Sequence, residues 1–537
     1  MSEKATTPNA ANTVPRRART ASGAWARGAA TGVPGELSGC FGEPSTAIAL
    51  WAVALLCAFM HERSSVSELA SALRADLHRY SPGGKLPSSR ALVEQYRVSP
   101  VTVSRALARL AAEGLVETRP GAGAFRCADR RTQARAAGDT SWQEVALSAE
   151  GATDQVPRAV DATGVLVTLS APATGVVEFN GGYLHASLQP EQAMAAALGR
   201  AGRRPGAWGR PPVEGIDELR AWFARGIGGA ITAADVLIAA GGQSALTTTL
   251  RALAPPGSAV LVESPTYPGL LAVARAAGLR PVPVPVDADG VRPDLLEAAF
   301  RATGARVFIC QPLFQNPTGA VLSAARRPEV LRITRAAGAF LVEDDFVRRL
   351  VHSDAGPLPR PLAADDQEGV VVHVCSLTKA TSPSFRVCAL AARGPVLERL
   401  RAIQVVENFF VPRPLQEAAV ELVGSPAWPR HLRTVSAELR ERRDALVSAL
   451  RLRLPELALP HVPSGGYHLW LRLPDGVDEP AVVSAALRAG VAVAPGRPYF
   501  SAEPPAAHLR LSFAAVASTA ELGEGVRRLR TACDAIG

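Results

Sequence analysis

The chain has 537 residues, of which 47% are hydrophobic and 20% charged; it is too long for one ordinary domain and too evenly mixed for a fibre. Its formal net charge of +9 is concentrated at one end: residues 1–130 carry 16 basic and 10 acidic side chains, and residues 131–537 carry 42 and 39. A polyanion-binding unit in the first quarter and a near-neutral body behind it are the expectation.

Residues 1–46 are rich in Ala, Thr, Gly, Pro and Arg without apolar periodicity, and disorder is expected over 1–60 as a whole. Within it, Ala47–Met60 is a run of 14 apolar residues, short of the roughly 20 that a membrane-spanning helix needs. More than forty residues precede the run, which argues against a secretory signal. Met60 stands directly before the first periodic helix, so translation starting there is a further expectation. The seven cysteines, Cys40, Cys57, Cys127, Cys310, Cys375, Cys388 and Cys533, are scattered and never spaced as C-x-x-C. That excludes a disulfide framework or zinc knuckle and suits a reducing cytoplasm, with no metal site and no membrane contact expected.

From Ser67, Leu69, Leu73 and Leu77 recur every four residues and predict a helix ending near Tyr80, before Ser81-Pro82-Gly83-Gly84. A second helix starts at Ser88 or Ser89. A third is predicted from Ser99, which caps it, and Pro100, which sits where a missing N–H costs nothing. Val103, Leu107 and Leu110 face inward until Gly114 stops it. Two strand-like runs, Leu115–Thr118 and Ala124–Arg126, flank the turn Arg119-Pro120-Gly121-Ala122-Gly123. Three helices followed by a hairpin is the winged helix-turn-helix order.

Lys85-Leu86-Pro87-Ser88-Ser89-Arg90, Val98-Ser99-Pro100-Val101-Thr102-Val103 and Glu113-Gly114-Leu115-Val116 resemble the GntR type of bacterial regulator over residues 61–127. The resemblance implies that Ser89, Arg90 and Thr102 touch double-stranded DNA from the second and third helices, and that Arg119 belongs to the wing. Family members usually carry Arg where Pro100 stands and often another where Ser104 stands. Losing those charges should weaken affinity or alter base preference.

Residues 128–172 are polar, Ala-rich and weakly periodic, and are expected to be a linker. From 173 to 537, short apolar runs alternate with amphipathic helical stretches. Ala259–Glu263, Pro281–Pro285, Val307–Cys310, Ala339–Val342 and Val370–Cys375 are strand-like. The alternation predicts an α/β body with a mostly parallel sheet covered by helices, and ligands of such sheets gather beyond the carboxyl ends of the strands.

Beyond those runs stand Gly241-Gly242-Gln243-Ser244 opening a helix, Pro265-Thr266-Tyr267-Pro268-Gly269, Gln315-Asn316-Pro317-Thr318-Gly319, Glu343-Asp344-Asp345-Phe346, and Ser376-Leu377-Thr378-Lys379 with Arg386 seven residues on. In that order they resemble fold-type I aminotransferases, which use pyridoxal 5′-phosphate. The resemblance implies that Lys379 is the amine bonded to the cofactor as an internal aldimine. Asp344, with Asp345 as the alternative, would hold the pyridine nitrogen. Gly242, Gln243, Ser244, Ser376 and Arg386 would hold the phosphate; Tyr267 would stack on the ring and Asn316 would bond its hydroxyl.

Gly465-Gly466-Tyr467-His468-Leu469-Trp470 and Leu509-Arg510-Leu511-Ser512-Phe513 are similar to the small C-terminal α+β subdomain of those enzymes, where the Arg at the place of Arg510 clamps a substrate carboxylate. Two positions depart from the pattern. Phe346 stands where a Tyr usually bonds the ring oxygen. Trp208, ahead of Gly215-Ile216-Asp217-Glu218-Leu219-Arg220, stands for a Tyr that reaches the partner subunit's phosphate.

A GntR-type winged helix followed by an aminotransferase-like domain is the arrangement of the MocR subgroup of bacterial regulators, which the chain resembles over residues 61–537. The expected protein is a cytoplasmic homodimeric transcription regulator that senses pyridoxal phosphate or an amine or amino acid through Lys379. The alternatives are a working aminotransferase with an accessory DNA-binding domain, and a repressor whose large domain serves dimerisation alone.

Overall fold

The computed structural model describes residues 66–119, 121–127, 160–169 and 173–536, and the chain separates into two compact units, Met1–Ser148 and Ala149–Gly537. The expectations for residues 1–60, the apolar run Ala47–Met60 and the start at Met60 lie outside the described residues, as does most of the stretch 128–172. No helix among the described residues is long and apolar enough to cross a membrane. The described cysteines are free.

In the first unit, α1 (66–76) turns Leu69 and Leu73 inward, and Leu77 follows in a short 3-10 turn. Ser88 Oγ accepts the amide of Ala91 at 3.2 Å and opens α2 (Ser89–Tyr96), which Arg97 ends in a left-handed conformation. Ser99 Oγ accepts the Thr102 amide at 3.1 Å, and Pro100 leads α3 (Pro100–Ala112). Val103, Leu107 and Leu110 close the core beneath α1 and α2, each contributing roughly 1.5–3 kcal/mol by leaving water. Gly114, with φ +71°, turns the chain into the antiparallel pair β1 (Val116–Arg119) and β2 (Gly123–Arg126). The winged helix read from the sequence is the observed fold of this unit.

The second unit opens with a difference. Part of the stretch expected to be linker folds as α4 (Thr163–Leu169), seven residues without a charge. Four of its side chains are β-branched and one residue is glycine, so local propensity opposes the helix and tertiary packing decides it. At Gly164 a Cβ would stand 2.8 Å from Pro498 Cβ and 3.3 Å from Pro268 Cβ, so the helix sits directly on the body.

The body is an eight-stranded sheet built from β3 (Val236–Ala239), β4 (Ala259–Ser264), β5 (Arg280–Asp287), β6 (Gly290–Val291), β7 (Val307–Cys310), β8 (Phe340–Asp344), β9 (Val371–Ser376) and β10 (Cys388–Ala391), in the spatial order β3-β10-β9-β8-β7-β4-β5-β6. Strands β5, β4, β7, β8 and β9 run parallel; β10 is antiparallel to both of its neighbours. Central strands such as β7 and β9 are buried along their whole length, which explains why they read as unbroken apolar runs. In β5, the Arg280 amide bonds Ser258 O on the β4 side at 2.9 Å. Alternation then turns Pro281, Pro283 and Pro285, which have no N–H to give, to the opposite edge. Apolar cores fill both faces of the sheet. A smaller sheet joins β11 (His468–Arg472), β12 (Ala494–Pro495) and β13 (His508–Ser512), and β13 carries Arg510.

Candidate functional site

Strands β4, β7, β8 and β9 end on one edge of the sheet, and a cavity of about 480 Å³ lies beyond it. Gly242, Gln243, Tyr267, Asn316, Asp344, Ser376, Lys379, Arg386 and Arg510 all line it. Of the expected cofactor and carboxylate residues, only Ser244 is not on its wall. The Ser244 hydroxyl turns instead to Asn408 Nδ2 at 3.2 Å, so what Ser244 offers an anion is its main-chain N–H.

At the start of α5 (Gly242–Leu253), the Ala245 amide bonds back to Gly241 O at 3.0 Å, which leaves the amides ahead of it as anion donors. Gly241 has φ +89°, and a Cβ there would lie 2.4 Å from Arg386 Nη2. Only glycine lets that guanidinium close over the helix start. Gln243 braces the neighbouring wall, with Nε2 donating to Gly269 O at 3.0 Å and Oε1 accepting the Tyr267 hydroxyl at 3.2 Å. Tyr267 precedes α6 (Pro268–Ala276), the helix that α4 packs on.

Asp344 ends β8 and Ser376 ends β9. The Asp344 carboxylate accepts Gln311 Nε2 at 2.7 Å, and Gln311 Oε1 accepts the Asn316 amide at 3.0 Å. Burial raises the Asp344 carboxyl to about 6, with Gln311 opposing and the Asp345 charge adding. Strand alternation turns Asp345 away from the cavity, where it pairs with Arg348. Behind it, Glu343 accepts the amides of Leu362 at 2.7 Å and Ala363 at 3.0 Å and His373 Nδ1 at 2.8 Å. Those bonds make the Glu343–His373 pair a brace between β8 and β9.

Lys379 Nζ donates to Gly182 O at 2.7 Å and lies 3.8 Å from the Tyr183 ring centre. Burial, and next the positive charge of Arg510, pull this ammonium down to about 7 while Asp344 opposes them. Arg510 is 2% exposed. Its Nη2 donates to the carbonyls of Asn180 at 2.6 Å and Gly181 at 3.2 Å, and its Nη1 lies 3.1 Å from His468 Nε2. Tyr467 adds its hydroxyl to Gly182 O at 2.7 Å. Phe346 lines the cavity without a hydroxyl. Trp208 is 81% exposed, with Nε1 bonded to Gly202 O at 3.2 Å.

Sequence reasoning assigned no role to Tyr183, Gln311, Thr378 or Tyr467, which also line the cavity. Gln311 stands one residue beyond β7, where the strand-end rule could have found it. Tyr183 lies on a loop with no such signal.

In the first unit, a concavity of about 600 Å³ is bounded by Ser89, Ser104, Arg119 and the turn Gly121–Gly123. Ser89 and Arg90 are exposed. Arg119 lies 4.7 Å from the Phe125 ring centre and pairs with Glu117 at 3.1 Å. Thr102 is placed differently from these side chains. It is 3% exposed, and its Oγ1 meets Ser99 Oγ at 2.8 Å, so its hydroxyl serves the helix cap rather than the surface.

The requirements of pyridoxal phosphate are met in the cavity of the second unit. A half-buried amine, a buried carboxylate and a cation over a helix start face one space, the glycine at 241 makes room for the cation, and Asn316 Oδ1 is buried with no protein partner. The family model for aminotransferase class I and II matches residues 179–529, and the model for bacterial regulatory proteins of the gntR family matches residues 66–125. The HTH-type transcriptional regulator YdfD of Bacillus subtilis is 28% identical over 450 residues, which is 83% of this chain and 91% of that protein. The 2-aminoadipate transaminase of Thermus thermophilus is 32% identical over 358 residues, covering 66% of this chain and 89% of the relative. Among solved structures, LysN, the alpha-aminoadipate aminotransferase of Thermus thermophilus, complexed with N-(5′-phosphopyridoxyl)-L-leucine, has 30% identity and a TM-score of 0.65 over 70% of this chain and 96% of its own. The fold therefore implies pyridoxal phosphate as cofactor, and the N-terminal domain implies DNA binding. The chain belongs to the aminotransferase class I and II family and, through its GntR domain, to the MocR-type DNA-binding transcription regulators.

Proposed function

We propose that the chain works as a homodimer in which the winged helix at 61–127 reads a double-stranded operator and the body from 173 onward binds pyridoxal phosphate and an amine-bearing carboxylate as effector. The observation that carries this reading is Lys379: a half-buried amine pulled down to about 7, in one cavity with Asp344, Arg386 and Arg510. Bound pyridoxal phosphate supplies an aldehyde that condenses with primary amines and a ring that withdraws electrons. Lys379 keeps a large share of its Nζ unprotonated near neutral pH, as a nucleophile requires. Asp344 would hold charge toward the ring nitrogen. Arg386 and the amides opening α5 would neutralise the phosphate, Asn316 would bond the ring hydroxyl, Tyr267 would stack on the ring, and Arg510 would grip the effector carboxylate.

The test is the visible absorption of the full-length protein after addition of pyridoxal phosphate, beside Lys379→Ala, followed by operator binding with and without added amine. A band present in the wild type and lost in the variant, together with an amine-dependent change in operator affinity, supports the reading. A band absent from both proteins leaves the body as a dimerisation scaffold.

A working aminotransferase is the second reading, favoured by the presence of Arg510 beside Lys379 and by the identity to the 2-aminoadipate transaminase. Phe346 and the attached DNA-binding domain weigh toward the regulator. Steady-state turnover of an amino acid with a 2-oxo acid separates the two.

A further inference from the structure

Arg510 stands on β13 and His468 on its neighbour β11, in a register that pairs His468 with Ser512 and Trp470 with Arg510. The two residues are therefore diagonal neighbours on one face of the antiparallel ladder, within reach of each other's long side chains. Both are buried, at 6% and 2% exposure, and Nη1 of the arginine lies 3.1 Å from Nε2 of the histidine. A guanidinium can only donate, so Nε2 must accept, which makes the imidazole neutral with its proton on Nδ1. Burial, and then the positive charges of Arg510 and Lys379, act in the same direction by holding the imidazolium well below its usual range. The other donors of the fork are held differently. Nη2 donates to the main-chain carbonyls of Asn180 and Gly181, and Nε is buried without a partner among the described residues. A carboxylate is a stronger acceptor than either carbonyl. It need not displace His468, because Nη1 carries two hydrogens and the imidazole takes one.

We propose that His468 is a positioning residue for effector recognition: as a neutral acceptor it anchors one arm of Arg510, so that the fork is already oriented when a carboxylate arrives. The inference rests on the proposed function, in which Arg510 grips that carboxylate. An anchored guanidinium gives up less side-chain freedom on binding than a loose one. The His468 ring also packs against Tyr467, with ring centres 4.1 Å apart, and packing is what a purely structural role would consist of. Phenylalanine keeps such a ring and deletes the acceptor, whereas glutamine gives up the ring and keeps an acceptor.

The experiment titrates full-length protein loaded with pyridoxal phosphate, read by the shift of its visible band, with amines that differ only in the carboxylate: L-alanine against ethylamine, L-phenylalanine against 2-phenylethylamine, and L-lysine against 1,5-diaminopentane. In the wild type at least one amino acid is expected to bind about tenfold or more tightly than its amine, as hydrogen bonds to a charged partner require. In His468→Phe that preference should fall at least about fivefold through the amino acid alone, with the amine's affinity and the band retained, and His468→Gln should restore most of it. A preference unmoved in His468→Phe, or lost equally in His468→Gln, overturns the inference and leaves the proposed function standing. Nitrogen NMR of histidine-labelled wild type, with the His468 signals identified by their loss in His468→Gln, tests the anchor without any ligand: a bare Nε2 is expected, and a protonated one overturns the inference even where His468→Phe fails to fold. No preference in any wild-type pair removes the carboxylate grip of Arg510 and this inference with it. If the wild type takes up no pyridoxal phosphate at all, the proposed function falls as well.

Discussion

Arg510 and Asn180 lie 330 residues apart in sequence, yet Nη2 of the arginine donates to the carbonyl oxygen of the asparagine at 2.6 Å. The same short segment receives Lys379 and Tyr467 through Gly182 O, and Asn180 Nδ2 in turn donates to Val167 O in α4. The main chain at 180–182 thus occupies donors that an effector carboxylate needs. Binding a carboxylate at Arg510 means exchanging neutral carbonyl acceptors for a charged one, which is the stronger partner. Effector is therefore expected to raise amide hydrogen exchange in residues 163–169, whose hold on segment 180–182 runs through Asn180. Exchange unchanged there at saturating effector would show that segment 180–182 stays in place.

Arg510→Gln removes the fork while keeping two hydrogen-bonding atoms. Hydrogen bonds to a charged partner are worth about 1.5–3 kcal/mol, so effector affinity should fall roughly 10- to 150-fold while uptake of pyridoxal phosphate persists. Equal losses of both would mean that Arg510 supports the cavity's shape rather than a carboxylate.

The same variant tests the electrostatics of Lys379. Burial and Arg510 depress its ammonium from 10.5 to about 7, so the neutral amine becomes the majority form as pH rises through about 7. The rate of pyridoxal phosphate attachment should climb through that range in the wild type. Taking away the neighbouring positive charge makes protonation easier, so in Arg510→Gln the midpoint must move upward. Stability has its own sign: a lysine depressed on folding costs stability below its folded pKa, and the cost fades as pH rises from about 7 toward 10.5. Lys379→Met, free of that cost, should gain most over the cofactor-free wild type at and below pH 7, measured as Tm.

Gly241→Ala addresses the anion cradle. The residue sits at φ +89°, and its Cβ would meet Arg386 Nη2 at 2.4 Å and Cζ at 2.5 Å. Left-handed backbone for a residue with a Cβ costs about 1–2 kcal/mol, and the guanidinium must also withdraw. Pyridoxal phosphate should be held at least tenfold more weakly, with Tm lowered by a few degrees. Retention of wild-type affinity would remove Arg386 from the phosphate site.

The physics of strands and helix starts explains what the sequence made legible. Asp344, Ser376 and Lys379 stand at or just past buried strands whose apolar runs are visible in one dimension, and Gly242 opens a helix after another such run. Gln311 and Asp344 meet only when β7 and β8 pair, 33 residues apart. Tyr183 reaches Lys379 across 196 residues from a loop without periodicity. Helix α4 was hidden for a different reason: its β-branched composition disfavours a helix that packing against Pro268 and Pro498 enforces. Thr102 carries two signals at once: its motif position points to DNA, while the helical period it shares with Val103, Ala106 and Leu110 turns it inward.

That burial yields a contrast inside the winged helix. Ser99→Ala deletes the acceptor of the Thr102 amide and the partner of its hydroxyl, which should lower stability by about 1 kcal/mol. Thr102→Val keeps the shape and loses the hydroxyl bond, so it too should act on stability. Neither substitution removes a charge, and the salt dependence of DNA binding should stay as it was for both. Arg119→Ala acts differently, since its guanidinium stands on the exposed wing beside Glu117 and the Phe125 ring. If the wing meets a phosphate, the slope of log affinity against log salt should shrink by about 1, with Tm little changed because a pair this exposed adds little stability. Electrophoretic or fluorescence titrations at three salt concentrations read the slope. An unchanged slope in Arg119→Ala, or a reduced one in Thr102→Val, would reverse the assignment of these two residues.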